Sequence, residues 1–70
     1  MVNQMVLSTE IEWIGYERRI NMLQVEFIEG GVYQYQNVPE RTYEDFLNAE
    51  SHGRFFANRI KDHFPYRKVR

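Results

Sequence analysis

Two short alternating runs separated by a pair of glycines leave this chain few folds to choose from. In Leu23-Gln24-Val25-Glu26-Phe27 the apolar residues alternate with polar ones, and in Tyr33-Gln34-Tyr35-Gln36 the tyrosines do the same. Period-two alternation marks a half-buried antiparallel strand, because successive side chains leave opposite faces. Gly30-Gly31 supplies the left-handed backbone that a tight hairpin needs. A three-residue loop, Glu29-Gly30-Gly31 with Gly31 left-handed, sets Phe27 opposite Tyr33 and Val25 opposite Tyr35 and puts all five apolar or aromatic residues on one face. A two-residue loop at Glu29-Gly30 instead sets Phe27 against Val32 and turns the tyrosines over. The pattern favours the common face.

The remaining elements follow from this hairpin. Ile11 and Trp13 alternate with Glu10 and Glu12, which reads as a preceding strand, and Gly15 within it marks a bulge or a close backbone approach. Residues 1–7 are an apolar lead-in that either frays or adds a strand edge. After Val38-Pro39 the sheet stops, since proline cannot donate to a ladder but fits the first turn of a helix. Tyr43, Phe46 and Leu47 then give one apolar face to a helix from about Glu40 to Ala49. Ser51 is placed to cap a second helix. Its stripe is Phe56, Ile60 and Phe64, its other face carries Arg54, Asn58 and Lys61, and Pro65 ends it near His63. Tyr66–Arg70 is a basic tail, docked through Tyr66 and Val69. The predicted fold is α+β: a three-stranded antiparallel β-meander with two C-terminal helices packed on one face (β-β-β-α-α), as a single domain over 1–70.

A chain of 70 residues buries only about 60% of its unfolded surface. With no cysteine, it has neither disulfide nor thiolate metal site, so its aromatic rings must carry the burial. No run is long and apolar enough to span a bilayer, and the first residues lack the pattern of a signal peptide. A cytoplasmic protein is expected. Charge is unevenly distributed. Residues 1–50 hold three basic side chains against nine acidic ones, whereas 51–70 hold six (Arg54, Arg59, Lys61, Arg67, Lys68, Arg70) against Asp62 alone. Such separation marks either an anion-binding surface or a basic helix lying near acidic strands.

Catalytic and metal-binding signals are weak. His52 and His63 have no partner at metal-ligand spacing, and both are expected at the solvent or the rim. Ser8 and Thr9 lack an evident base. Glu10 and Glu12 read as exposed guards of an edge strand. No glycine-rich loop lies between a strand and a helix, where phosphate would be cradled. Neither catalysis nor a metal or cofactor is expected. Tyr33 and Tyr35 either stack bases or pack beneath the helices, and their register favours packing.

The ordered set Ser8, Ile11, Ile14-Gly15-Tyr16, Leu23/Val25/Phe27, Gly30, Tyr33-Gln34-Tyr35, Val38-Pro39, Ala49, Ser51, Gly53, Phe55-Phe56 and Ile60 resembles the KTSC domain. This is a short bacterial module also found at the C-terminus of some lysyl-tRNA synthetases. Glu17 stands where the family pattern leads one to expect Asp, and Ala57 where members often carry Asn. The resemblance implies a small α+β binding module, with RNA as partner by its attachment to a synthetase. Together with the charge asymmetry, it makes Arg54, Arg59, Lys61, Arg67 and Lys68, with Tyr33 and Tyr35, the candidate RNA- or anion-binding residues. Two alternatives stand beside it. One is a protein-interaction or self-associating (homodimeric) module using a patch of Met22, Ile28 and Val32. The other is a small-ligand, nucleotide-like site edged by arginine and tyrosine.

Overall fold

The computed structural model describes residues 1–70. Five strands run β1 (Asn3–Met5), β2 (Ile11–Glu17), β3 (Met22–Phe27), β4 (Val32–Tyr35) and β5 (Tyr66–Lys68). They form one antiparallel sheet in chain order. A 3₁₀ turn (Arg18–Ile20) joins β2 to β3. Helices α1 (Glu40–Leu47) and α2 (His52–Phe55) lie between β4 and β5, and α2 continues into a π-helical turn, Phe56–Ile60. The sheet therefore has five strands rather than three. Both additional strands are three residues long with every residue exposed, too short to show a period. Backbone pairing holds them: Tyr66 and Val69 remain largely exposed, so the tail docks through its amides and carbonyls rather than by burying those side chains.

The hairpin keeps the predicted face but not the predicted register. Leu23 pairs with Tyr35 and Val25 with Tyr33, while Phe27 meets Gly31 across an Ile28-Glu29-Gly30 loop. Phe27 N–H donates to the Gly31 carbonyl at 3.1 Å, and both Gly30 (φ 106) and Gly31 (φ 92) are left-handed. The pairing is displaced by two residues from the expected one. An even displacement preserves which face each side chain takes.

Ile11, Ile14, Tyr16, Leu23, Val25 and Tyr35 point to the helices and meet Tyr43, Phe46 and Ile60 in one core with Val38. A bulge between Ile11 and Trp13 separates those two residues, sending Trp13 to the helix-free face opposite Glu26. The pairing of Ile11 and Trp13 expected from alternation is thus overturned by one extra residue. Strand β2 is also interior, because β1 covers it. Glu10 precedes the strand and Glu12 sits at the bulge, so neither guards an edge. Close approach explains Gly15: a Cβ there would run into the Asn3 side chain and come 3.2 Å from the Val2 carbonyl.

Pro39 is the N-cap of α1, and Asn48 closes the helix before Ala49, its backbone and side-chain N–H groups both donating to the Glu44 carbonyl. Ser51 Oγ accepts from Arg54 N–H, as its position predicts. The second helix stops at Ile60, earlier than Pro65 suggests. Lys61 N–H donates to the Phe56 carbonyl at 2.8 Å, a π-type bond, and Asp62 then turns left-handed (φ 66). Lys61 consequently leaves the helix face it was expected to share with Arg54 and Asn58.

The helix-free face does not carry the expected apolar patch. Met22 and Val32 are buried, and Val32 is clamped by backbone hydrogen bonds with Val69 and Arg70; only Ile28 is exposed. No helix is long and apolar enough to cross a membrane.

Candidate functional site: an aromatic cleft

The pairing of β4 with β5 sets Tyr35 opposite Tyr66 and Tyr33 opposite Lys68. Since Tyr33 and Tyr35 face the helices, so do Tyr66 and Lys68. The π-turn brings Phe56 down onto this group, and Phe27 closes it from β3. The five rings form a circuit: Phe27–Tyr33 at 5.6 Å, Tyr33–Tyr66 at 5.8 Å, Tyr66–Tyr35 at 5.4 Å, Tyr35–Phe56 at 5.7 Å and Phe56–Phe27 at 5.3 Å between centroids. These separations lie within the range of favourable aromatic pairs. All five rings line an open cleft of about 550 Å³, a size usual for small-molecule sites.

The rings differ in access. Tyr35 is buried, Tyr33 half-buried and Tyr66 57% exposed, so Tyr66 and part of Tyr33 offer faces to a guest while Tyr35 forms the floor. Burial pushes the Tyr35 hydroxyl up to about 12, with Tyr66, Tyr33 and Asp62 adding to the shift. Like any tyrosine hydroxyl at neutral pH it is protonated and can donate a hydrogen bond, and the shift extends that state further into alkali.

Charged groups ring the cleft. Glu10 and Glu29 line it beside Gly30, and Lys61 and Asp62 follow the π-turn. The Lys68 ammonium stands 5.9 Å from the Tyr33 ring centroid. The chain's ion pairs join Met1 to Glu17, Arg18 to Glu40, Arg41 to Asp45 and Arg70 to Glu26, which leaves the four charged residues lining the cleft, and Lys68 beside it, outside any ion pair. Gly53 makes room for Glu10: a Cβ there would stand 2.8 Å from the Glu10 carboxylate. That carboxylate consequently rests against the first turn of α2, where a negative charge is favoured.

Of the residues singled out from sequence, Tyr33, Tyr35 and Lys61 line this cleft, and Lys68 adjoins it over the Tyr33 ring. Arg67 does not, since it lies opposite Gln34 on the helix-free face and reaches the Gln34 side chain at 3.5 Å. Arg59 lies over the Phe55 ring at 5.2 Å, and Arg54 is exposed on α2 without lining the cleft. The basic residues of 51–70 thus do not form one surface. Tyr66, Phe27, Phe56, Glu10, Glu29 and Asp62 were not foreseen as site residues. Strand β5 is too short for the sequence alone to show that Tyr66 shares the tyrosine face.

Neither His52 nor Ser8 stands free. His52 packs beside Phe46, and its Nε2 donates to the Leu47 carbonyl at 3.2 Å while Nδ1 is buried without a partner. Of the two places expected for it, His52 takes the rim, partly buried against Phe46 rather than solvated. Ser8 Oγ accepts from the backbone N–H groups of Glu10 and Ile11, holding the turn into β2. No three His, Asp or Glu side chains converge as metal ligands would.

Comparison with known proteins places this architecture. A protein of Tsukamurella paurometabola is 39% identical over 61 residues, covering 87% of this chain and 91% of its own length. A lysine–tRNA ligase of Nostoc punctiforme is 37% identical over 59 residues, and there the matched segment is 10% of the ligase. The crystal structure of a KTSC domain protein from Yersinia pestis superposes with a TM-score of 0.95 at 45% identity, covering 99% of this chain and 97% of that one. The KTSC domain family profile matches residues 7–64, and the chain belongs to the KTSC domain family.

Proposed function

We propose that this domain is an RNA-binding module that holds an unpaired nucleotide in the aromatic cleft. One observation carries the reading: five rings in a closed circuit line a cleft together with Lys61, and Lys68 stands over one of those rings, neither lysine being held in an ion pair. Single-stranded RNA is commonly held by bases stacked on aromatic side chains, with cationic groups meeting the phosphates. Tyr66 and Tyr33 are the stacking faces, Tyr35 is the floor and hydroxyl donor, and Lys61 and Lys68 meet the backbone. The related segment in a lysine–tRNA ligase, an enzyme named for a tRNA substrate, supports an RNA partner.

Fluorescence anisotropy with short labelled single-stranded RNAs, at low and moderate salt, tests this. The expected result is saturable binding that weakens as salt rises. A Lys61→Glu/Lys68→Glu double variant and Tyr66→Ala, both altering exposed side chains, should each weaken it by about tenfold or more. Absent or salt-independent binding, or variants that bind like the parent, contradict the proposal.

A further inference from the structure

The cleft holds more carboxylates than a site for phosphate alone requires. Glu10, Glu29 and Asp62 all line it, and none is paired within the protein. Placing acids beside a polyanion's binding site is unfavourable unless they meet something that donates hydrogen bonds. The charges are interleaved around the rings. Glu10 rests against Gly53 in the first turn of α2, and Glu29 lies in the hairpin loop, where the Lys68 side chain comes up beside Gly31; Lys61 and Asp62 follow one another after the π-turn. Glu10 and Glu29 also come from two segments tied to each other, because Ile28 N–H donates to the Glu10 carbonyl at 2.9 Å. A guest suited to this arrangement has a flat aromatic body for the rings, hydrogen-bond donors for the carboxylates and an anionic group for the lysines. A purely cationic guest is disfavoured by Lys61 and Lys68, and a purely anionic one by the glutamates.

Resting on the RNA-binding reading, we infer that the cleft selects its base, with Glu10 and Glu29 reading a donor edge and guanine preferred over uracil. Guanine presents N1–H and N2–H side by side, and a single carboxylate can accept both. Cytosine offers an exocyclic amine from which carboxylates commonly accept, and adenine offers a single exocyclic amine as well. Uracil offers one N–H flanked by two carbonyl oxygens, which a carboxylate repels. A well-placed bidentate contact commonly discriminates by about tenfold or more. The expected order is therefore guanine first, adenine and cytosine between, and uracil last.

The test uses the full chain and four short U-rich RNAs that differ only in a central G, A, C or U. Binding is measured for the parent, Glu10→Gln and Glu29→Gln, with amide spectra confirming that each variant is folded. The inference predicts that the central-G RNA binds about tenfold tighter than the all-U RNA, and that this ratio falls towards one in both variants. Equal affinity for all four RNAs overturns base selection but leaves RNA binding intact. A guanine preference undiminished in both variants overturns the role of the glutamates. Failure of every RNA to bind removes the RNA-binding reading itself, and base selection with it. Binding of a lysine- and arginine-rich peptide at the same residues, with no RNA bound, reassigns the cleft to a protein partner and overturns both.

Discussion

The rings of Phe27 and Phe56 meet edge to face, 5.3 Å between centroids at an interplanar angle of 78°. Phe27 ends the central strand and Phe56 opens the π-turn, so this contact couples the shape of the second helix to the cleft wall. Phe56 also meets Tyr35 edge to face. Replacing Phe56 by Leu keeps an apolar side chain but removes both aromatic contacts. The expected cost is roughly 1–3 kcal/mol, from two pairs of about 0.5–1.5 kcal/mol each. Urea denaturation measures it, and RNA affinity should fall in parallel.

Tyr16 ties three parts of the chain together. Its hydroxyl donates to the Val38 carbonyl at 2.6 Å and lies 3.0 Å from the Asn21 side-chain oxygen, while its ring stacks on Tyr43 at 4.8 Å. Tyr16→Phe preserves the stack and strips the buried Val38 carbonyl of its donor. A loss of about 1–3 kcal/mol is expected in chemical denaturation, with the fold retained.

Tyr35 makes stability sensitive to alkali. In the folded chain its hydroxyl is pushed from 10.0 up to about 12, chiefly by burial. Above pH 10 the unfolded chain releases this proton while the folded chain keeps it, so the unfolded state binds fewer protons and stability falls as pH rises. The fall levels off once the folded hydroxyl also ionises near pH 12. Burial raises Tyr16 and Tyr43 as well, which steepens the same trend. Alkaline titration of tyrosinate absorbance should show a late step that Tyr35→Phe removes.

Gly53 separates folding from recognition. Alanine in place of a helical glycine is favourable by about 1 kcal/mol, but here the new Cβ would crowd the flexible Glu10 carboxylate. Gly53→Ala is expected to melt no lower than the parent while losing preference for a central guanine. A large drop in thermal stability would show that Glu10 holds the fold and not the ligand.

The hairpin's buried face was legible because alternation in Leu23/Val25/Phe27 and Tyr33/Tyr35 fixes side-chain parity. Its register was not, since pairings two residues apart give the same parity and the Glu29-Gly30-Gly31 stretch allows both. The second-helix stripe was also legible: Ile60 is fully buried, and Phe56 and Phe64 pack against the core. The π-turn was hidden because the i, i+4, i+8 spacing of those residues fits an ordinary helix equally well. Strands of three residues leave no period to detect: residues 1–7 are compatible with fraying or a strand edge, of which the edge strand β1 is what forms, and β5 escaped notice altogether, and with it Tyr66. Half of the cleft was therefore invisible, because its walls meet only after β5 pairs with β4. The charge count along the chain likewise gave no direction in space, and Arg67 and Lys68, adjacent in sequence, take opposite faces of the sheet.

Amide-shift NMR titration of the full chain with a short single-stranded RNA bearing a central guanine tests the central claim most directly. The account predicts saturable shifts centred on Tyr33, Lys61, Tyr66 and Lys68, which shrink as salt rises. Unchanged spectra, or shifts confined to Gln24, Gln34 and Arg67 on the helix-free face, would contradict it.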